Sequence, residues 1–199
     1  MKKLNQFITE KLRLSKNKDK EYNYHPKTID ELKKLVNKLI KERGENANLN
    51  DIDTSEINDM SRLFMGIKFN GDISQWNVSK VEDMNNMFNY SQFNGDISVW
   101  DVGKVKNMDF LFYRSTFNKD ISEWNVSNVE SMEGMFKESE FNEDISEWNV
   151  SNVENMRSMF LYSKFNRDIS NWDVSNVKDM NRIFYGCPLE KNPPKWYNG

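Results

Sequence analysis

Phenylalanine, isoleucine, tryptophan, valine and methionine return in the same order every 24 residues along most of this chain. Phe69, Phe93, Phe117, Phe141 and Phe165 mark the period, and Trp76, Trp100, Trp124, Trp148 and Trp172 keep step with them. Between the apolar columns run polar ones, giving F-N-x-D-I-S-x-W-[ND]-V-[SG]-x-V-x-x-M-x-x-[MLI]-F. Both ends fade. Leu49, Ile52, Ile57, Met60, Leu63 and Phe64 stand one period before Ile73, Trp76, Val81, Met84, Met87 and Phe88, while Leu189 and Trp196 take the Phe and Trp columns downstream. A fixed period of this length marks a repeat array whose units bury their apolar faces only by stacking, with atypical units at the ends.

Within a unit the spacing changes. Ile73, Trp76, Val78 and Val81 fall at i, i+3, i+5 and i+8, the spacing of the leucine-rich-repeat stretch, with Trp76 and Val78 on one face of a short strand. Val81, Met84, Met87 and Phe88 are spaced as one face of a helix, and Ser79/Glu82, Ser127/Glu130 and Ser151/Glu154 read as capping boxes at its start. The expected fold is therefore α/β: a right-handed leucine-rich-repeat-like solenoid with one short parallel strand plus one short helix per repeat. Residues 23–44 supply an amino-terminal capping helix and its lead-in, because Thr28 and Glu31 form a capping box and Gly44 sits where a helix stops. Ile29, Leu32, Leu35, Val36, Leu39 and Ile40 line one face of that helix. Residues 45–68 form a degenerate first repeat, 69–187 the five clear repeats, and 188–199 a degenerate carboxy-terminal cap. Pro193 and Pro194 cannot donate to a ladder and are expected to blunt the last sheet edge, which favours a monomer.

Charge divides the chain. The net charge is −3, yet residues 1–44 carry a balance of +7 and the remainder −10. Residues 1–22 thus form a basic leader, flexible or weakly helical, with Leu4, Phe7, Ile8, Leu12 and Leu14 as its few apolar residues. Such a leader serves as a docking peptide or an address. The acidic body offers nothing to nucleic acid. No run of 18 apolar residues occurs, so no transmembrane segment is expected, and the basic start lacks the apolar stretch and cleavage site of a signal peptide. The expected location is a bacterial cytoplasm or a phage particle rather than a cell surface.

The repeat, F-N-x-D-I-S-x-W-N-V-S-N-V-x-x-M-x-x-M-F, resembles that of the BspA-like leucine-rich-repeat surface proteins, in the branch first noted in mycoplasma surface lipoproteins. Its core stands nearly unaltered at Trp124–Phe136 and Trp148–Phe160, and the likeness spans about residues 28–187, including the PKTIDELKKL helix start and the LNDIDTSEINDMSRLF lead-in. That resemblance implies a surface or adhesin-like protein that works by protein recognition. Neither the signal peptide nor the lipid-attachment cysteine of that branch is expected here. Its leader, KLNQFITEKLRL, is similar to short leaders on proteins of gut bacteriophages, which implies a phage or prophage origin.

Residues identical in every copy solve a problem that every copy has. The five tryptophans are expected to stack as a structural ladder, and the Asn and Asp that follow each Phe suit a tight turn. A calcium ladder on Asp72, Asp96, Asp120, Asp144 and Asp168 is the competing reading, but Lys119 and Arg167 precede two of them and the liganding glycine pattern is missing. Cys187, the lone cysteine, occupies the column of Ser91, Ser115, Ser139 and Ser163 and reads as a small packed side chain. The single histidine, His25, lies ahead of the capping helix. No nucleophile motif, phosphate loop or metal-ligand spacing appears, so the expectation is no catalytic site, no metal and no cofactor. Function is expected where the copies differ. One variable column, on the outward side of the strands, reads Gln75, Val99, Glu123, Glu147 and Asn171. A second set, at the helix ends, comprises Tyr90, Phe110, Tyr113, Arg114, Arg157, Leu161, Tyr162, Arg182 and Tyr185, rich in the aromatic and arginine side chains that anchor interfaces. The expected function is a non-enzymatic scaffold that binds a protein partner through these columns. The alternatives are a virion-associated structural or cargo protein addressed by its leader, and an adhesin-like surface module.

Overall fold

The computed structural model describes residues 21–197. The basic leader assigned to residues 1–22 lies outside the described residues except for its last two. Helix α1, Ile29–Arg43, opens at Thr28, whose hydroxyl accepts the Glu31 N–H at 3.2 Å, while the Glu31 carboxylate accepts the Lys27 N–H at 2.6 Å. It closes at Gly44, which takes φ +91° and donates to the Ile40 carbonyl at 2.8 Å. Leu32, Val36 and Leu39 are buried and join one apolar core with Leu49 and Ile52 of the first repeat. A polar clasp fastens this end. Arg43 donates to both carboxylate oxygens of Asp51 at 2.9 and 3.0 Å, and Tyr24 bridges in parallel to Ile52. The guanidinium beside Asp51 holds that carboxyl below its ordinary pKa.

The strand and the short helix expected in each repeat do not form. Among the described residues α1 is the only α-helix, no strand is present, and a 3₁₀ turn at Pro188–Glu190 is the other helical element. Neighbouring repeats meet instead through isolated parallel bridges, Asp59 to Asp83 to Asn107 to Ser131 to Asn155 to Asp179. The leucine-rich-repeat-like α/β solenoid is thereby overturned: each repeat is a coil of consecutive tight turns, stacked on the next. With no strand there is no sheet edge for Pro193 and Pro194 to blunt; they lie in a turn in which Tyr197 donates to the Pro194 carbonyl at 3.0 Å.

The cause is local hydrogen bonding. With each Phe as position 1, the apolar pairs at positions 5/8, 10/13 and 16/19 are the first and last residues of turns. Trp76 N–H donates to Ile73 O at 3.1 Å, Val81 to Val78 at 2.9 Å and Met87 to Met84 at 3.1 Å. A fourth turn runs from Phe88 to Ser91, at 3.2 Å. A polar side chain serves most corners by accepting the N–H two residues on. Asp72 takes Ser74 at 2.9 Å, Asn77 takes Ser79 at 3.1 Å, Asp83 takes Asn85 at 2.7 Å, and the Ser91 hydroxyl takes Phe93 at 3.1 Å. Such side-chain acceptors compete with both helix and ladder. The Ser-x-x-Glu pairs are accordingly not helix caps: Ser79 donates its hydroxyl to Asn77, and Glu82 pairs with Lys106 one repeat on, at 2.8 Å. Positions 18 and 22 seal the outcome. They are left-handed in every repeat, nine times on non-glycine residues with φ between +52° and +58°, and a right-handed helix cannot pass through them.

Stacking then builds the core. The first Phe column repeats at 6.2–6.3 Å between ring centroids, and the second, Phe64 to Phe184, at 5.5–6.1 Å. Each tryptophan ring lies beside the second-column Phe of the preceding repeat, as Trp124 does beside Phe112 at 6.4 Å. Its indole N–H donates to a carbonyl 27 residues back, from Trp76 to Leu49 at 2.9 Å through Trp124 to Ile97 at 3.1 Å. Trp196 continues that column onto Ile169 at 2.9 Å, so residues 188–197 supply part of one more coil. An asparagine ladder binds the rungs as well, Asn70 Oδ1 accepting the Asn94 N–H at 2.8 Å and so on to Asn166.

Candidate functional site

The outward column Gln75, Val99, Glu123, Glu147 and Asn171 lies at position 7, the outer corner of the Ile–Trp turn, and all five are exposed. The second set gathers on a different part of the coil. Tyr90, Arg114 and Tyr162 occupy left-handed position 22, Phe110 and Arg182 left-handed position 18, Tyr113, Leu161 and Tyr185 position 21, and Arg157 position 17. The structure separates this set into packing and display. Leu161 is buried, and Phe110 is half-buried over Gly134, where a Cβ would lie 2.5 Å from its ring. Met65, Tyr90, Tyr162 and Tyr185 are 46%, 49%, 56% and 51% exposed; with Val99 at 44% they are the exposed large apolar residues among those described. Four of the five therefore line one ridge formed by positions 21 and 22.

Around Tyr90 the ridge is tied together. Tyr90 and Tyr113 meet edge to face at 5.2 Å, and the Arg114 guanidinium lies 5.0 and 5.3 Å from their ring centroids. Arg114 also donates to the Tyr90 hydroxyl and to Glu138, and Lys137 sits 5.1 Å from the Tyr113 centroid. Hydrogen bonding with Tyr90, followed by partial burial, pushes the Tyr113 hydroxyl up to about 12. Met65, Lys137 and Glu138 are ridge residues that the sequence reading missed. They stand in the same two columns as the residues it selected, so the column register was the signal that could have found them. Arg157 turns aside to Asp179, 3.7 Å away.

The remaining chemically suggestive residues have roles in the coil. Asp72, Asp96, Asp120, Asp144 and Asp168 each accept a serine N–H at 2.9–3.0 Å. Cys187 is buried, and burial pushes its thiol pKa up, away from a reactive thiolate. Asp109 is the exception among the turn carboxylates. Burial raises its pKa despite hydrogen bonds from the Ser131 hydroxyl at 2.5 Å and the Glu133 N–H at 2.7 Å. No helix of the described residues is long and apolar enough to cross a membrane.

Compared with known proteins, residues 31–140 and again 114–196 match the model of a family described as Mycoplasma protein of unknown function, DUF285. No curated protein and no solved structure matches the chain.

Proposed function

This chain belongs to the DUF285 family of mycoplasma repeat proteins, and from that premise we propose that it is a non-enzymatic scaffold that recognises another protein along the ridge of positions 21 and 22. One observation carries the reading: two of the three exposed tyrosines, Tyr90 and Tyr162, stand on strained backbone. A non-glycine residue in the left-handed region costs about 1 kcal/mol or more, and glycine takes these positions at Gly66, Gly134 and Gly186. Tyr90 and Tyr162 nevertheless occupy them while leaving about half of their surface in water. Strain retained for an exposed aromatic side chain points to use of that side chain. Aromatic and arginine residues in such a patch are the usual anchors of an interface.

The test immobilises the full chain, passes an extract of the cells that produce it, and quantifies what is retained. Retention is expected to survive the charge reversal Glu123→Lys/Glu147→Lys at position 7 and to be lost in Tyr90→Ser/Tyr162→Ser/Tyr185→Ser. Equal retention by the tyrosine variant and the parent removes the ridge from consideration.

A further inference from the structure

One arrangement occurs twice on the ridge. Tyr90 and Tyr113 meet at 5.2 Å and 78°, and Tyr162 and Tyr185, three repeats later in the same two columns, meet at 5.4 Å and 76°. The first pair is filled from within the chain. Arg114 covers both rings, Lys137 covers Tyr113, and Glu138 holds Arg114 at 2.5 Å. In the second pair the counterpart of Arg114 is Gly186. The Tyr162 ring rests on that glycine so closely that a Cβ there would fall 2.2 Å from its Cδ1. The chain therefore has no room for a side chain of its own at that point. Among the described residues the cation–ring contacts involve Tyr24, Tyr90 and Tyr113, and neither ring of the second pair. Tyr185 is 51% exposed, whereas Tyr113 beneath its two cations is half-buried.

A carboxylate is still supplied. Glu190 accepts the N–H of Gly186, the glycine on which the Tyr162 ring rests, at 2.9 Å. Among the described residues no cation–ring contact places Arg182 over either tyrosine. The body beyond residue 44 has a charge balance of −10, which favours a basic partner over an acidic one.

We propose that Tyr162, Tyr185 and Glu190 form an open clamp for an arginine or lysine side chain presented by a basic segment of a protein partner, which would lie on the exposed tyrosine faces as Arg114 lies on those of the first pair. Tyrosine faces attract a cation through their quadrupole, a planar guanidinium stacks on them, and the carboxylate balances its charge. This inference rests on the reading of the ridge as a recognition surface and names what one end of it recognises.

The experiment follows the tyrosine ring resonances of the full chain by NMR as capped Gly-Gly-Arg-Gly-Gly is added. A matched peptide with citrulline for arginine keeps the shape and removes the charge. Saturable shifts are expected at Tyr162 and Tyr185 and not at Tyr90 and Tyr113, with the citrulline peptide weaker by roughly three- to tenfold. Tyr185→Leu and Glu190→Gln should each weaken the arginine peptide at least about threefold. Both positions are exposed, and unchanged spectra elsewhere in the chain verify the fold of each variant. Equal response of the two tyrosine pairs, equal binding of both peptides, or no saturable shift overturns the clamp. If the extract experiment still shows tyrosine-dependent retention, the clamp alone has failed and the recognition surface stands; loss of both fails the wider reading too.

Discussion

Position 17 holds Asn85, Asp109, Glu133, Arg157 and Asn181 in successive repeats; Asp109 turns its carboxylate toward the next coil, accepting from the Ser131 hydroxyl and the Glu133 N–H. Burial outweighs those two hydrogen bonds, and Glu133 and Asp83 add like charge, so the folded-state pKa lies above the ordinary 3.8. A carboxyl raised on folding favours the native state when protonated, and that contribution is lost as pH rises through the folded value. Asp109→Asn, which keeps an acceptor and removes the charge, should therefore raise the thermal midpoint near pH 7. The advantage should shrink as pH falls through the raised folded-state value and be gone below about 4, and melts across that range check it. At this scale the sequence was legible in part: Asp72 at its turn and Cys187 packed in the serine column follow from their columns, whereas Asn70, expected at the same turn, instead accepts the Asn94 N–H one coil on. Contacts such as Arg114 with Glu138 were not, because they join different residue types one repeat apart within a variable column.

Helix α1 shows what element-level signals carry. Thr28, Glu31 and Gly44 announce its ends, and its apolar stripe finds the core. Thr28→Ala should cost about 1 kcal/mol. The loss should appear as faster amide exchange in α1, with exchange at the Phe69–Phe165 column unchanged; an equal loss throughout would mean that cap and coils unfold as one. The elements within each repeat were misread for a physical reason. An apolar pair separated by two polar residues fits one turn of a helix and also fits the two ends of a β-turn. The deciding letters are the acceptors at the corners, D-I-S, N-V-S and S-x-F, which hold the N–H two residues on and end each segment before a ladder or a helix can grow. The left-handed residues gave no warning, since Tyr, Phe and Arg seldom occupy such backbone.

For the whole molecule, the period settles which changes the chain can absorb. Deleting residues 117–140 removes one full coil and sets Thr116 before Phe141, so every Phe, Trp and Asn column stays in register. That variant should fold with a cooperative melt at a lower temperature, because one inter-coil contact surface is lost. Deleting residues 117–128 leaves Val129 and Trp148 in the two phenylalanine columns but sets Glu133, Glu138, Asp144 and Glu147 in the inward Ile, Val and Met columns, and should abolish cooperative unfolding. Circular dichroism melts of the two variants check the pair of outcomes, and similar curves would mean that register does not govern the stack. The array, its period and its amino-terminal cap were readable from the sequence; how each coil is folded was not, because the same inward columns serve a strand–helix unit and a chain of turns.

The bridges from Asp59 to Asp179 are backed at each step by further backbone hydrogen bonds between neighbouring coils, such as Met60 N–H to Asp83 O and Phe64 N–H to Met87 O, both at 2.9 Å, and among the described residues no continuous strand forms. Pulled by its two ends, such a molecule behaves as a spool rather than a clamp. One coil can lift from the end of the stack while those beneath it hold, and each release frees 24 residues, about 80 Å of extended chain. Under load the protein would lengthen in nearly equal steps, a tether whose give is counted in coils.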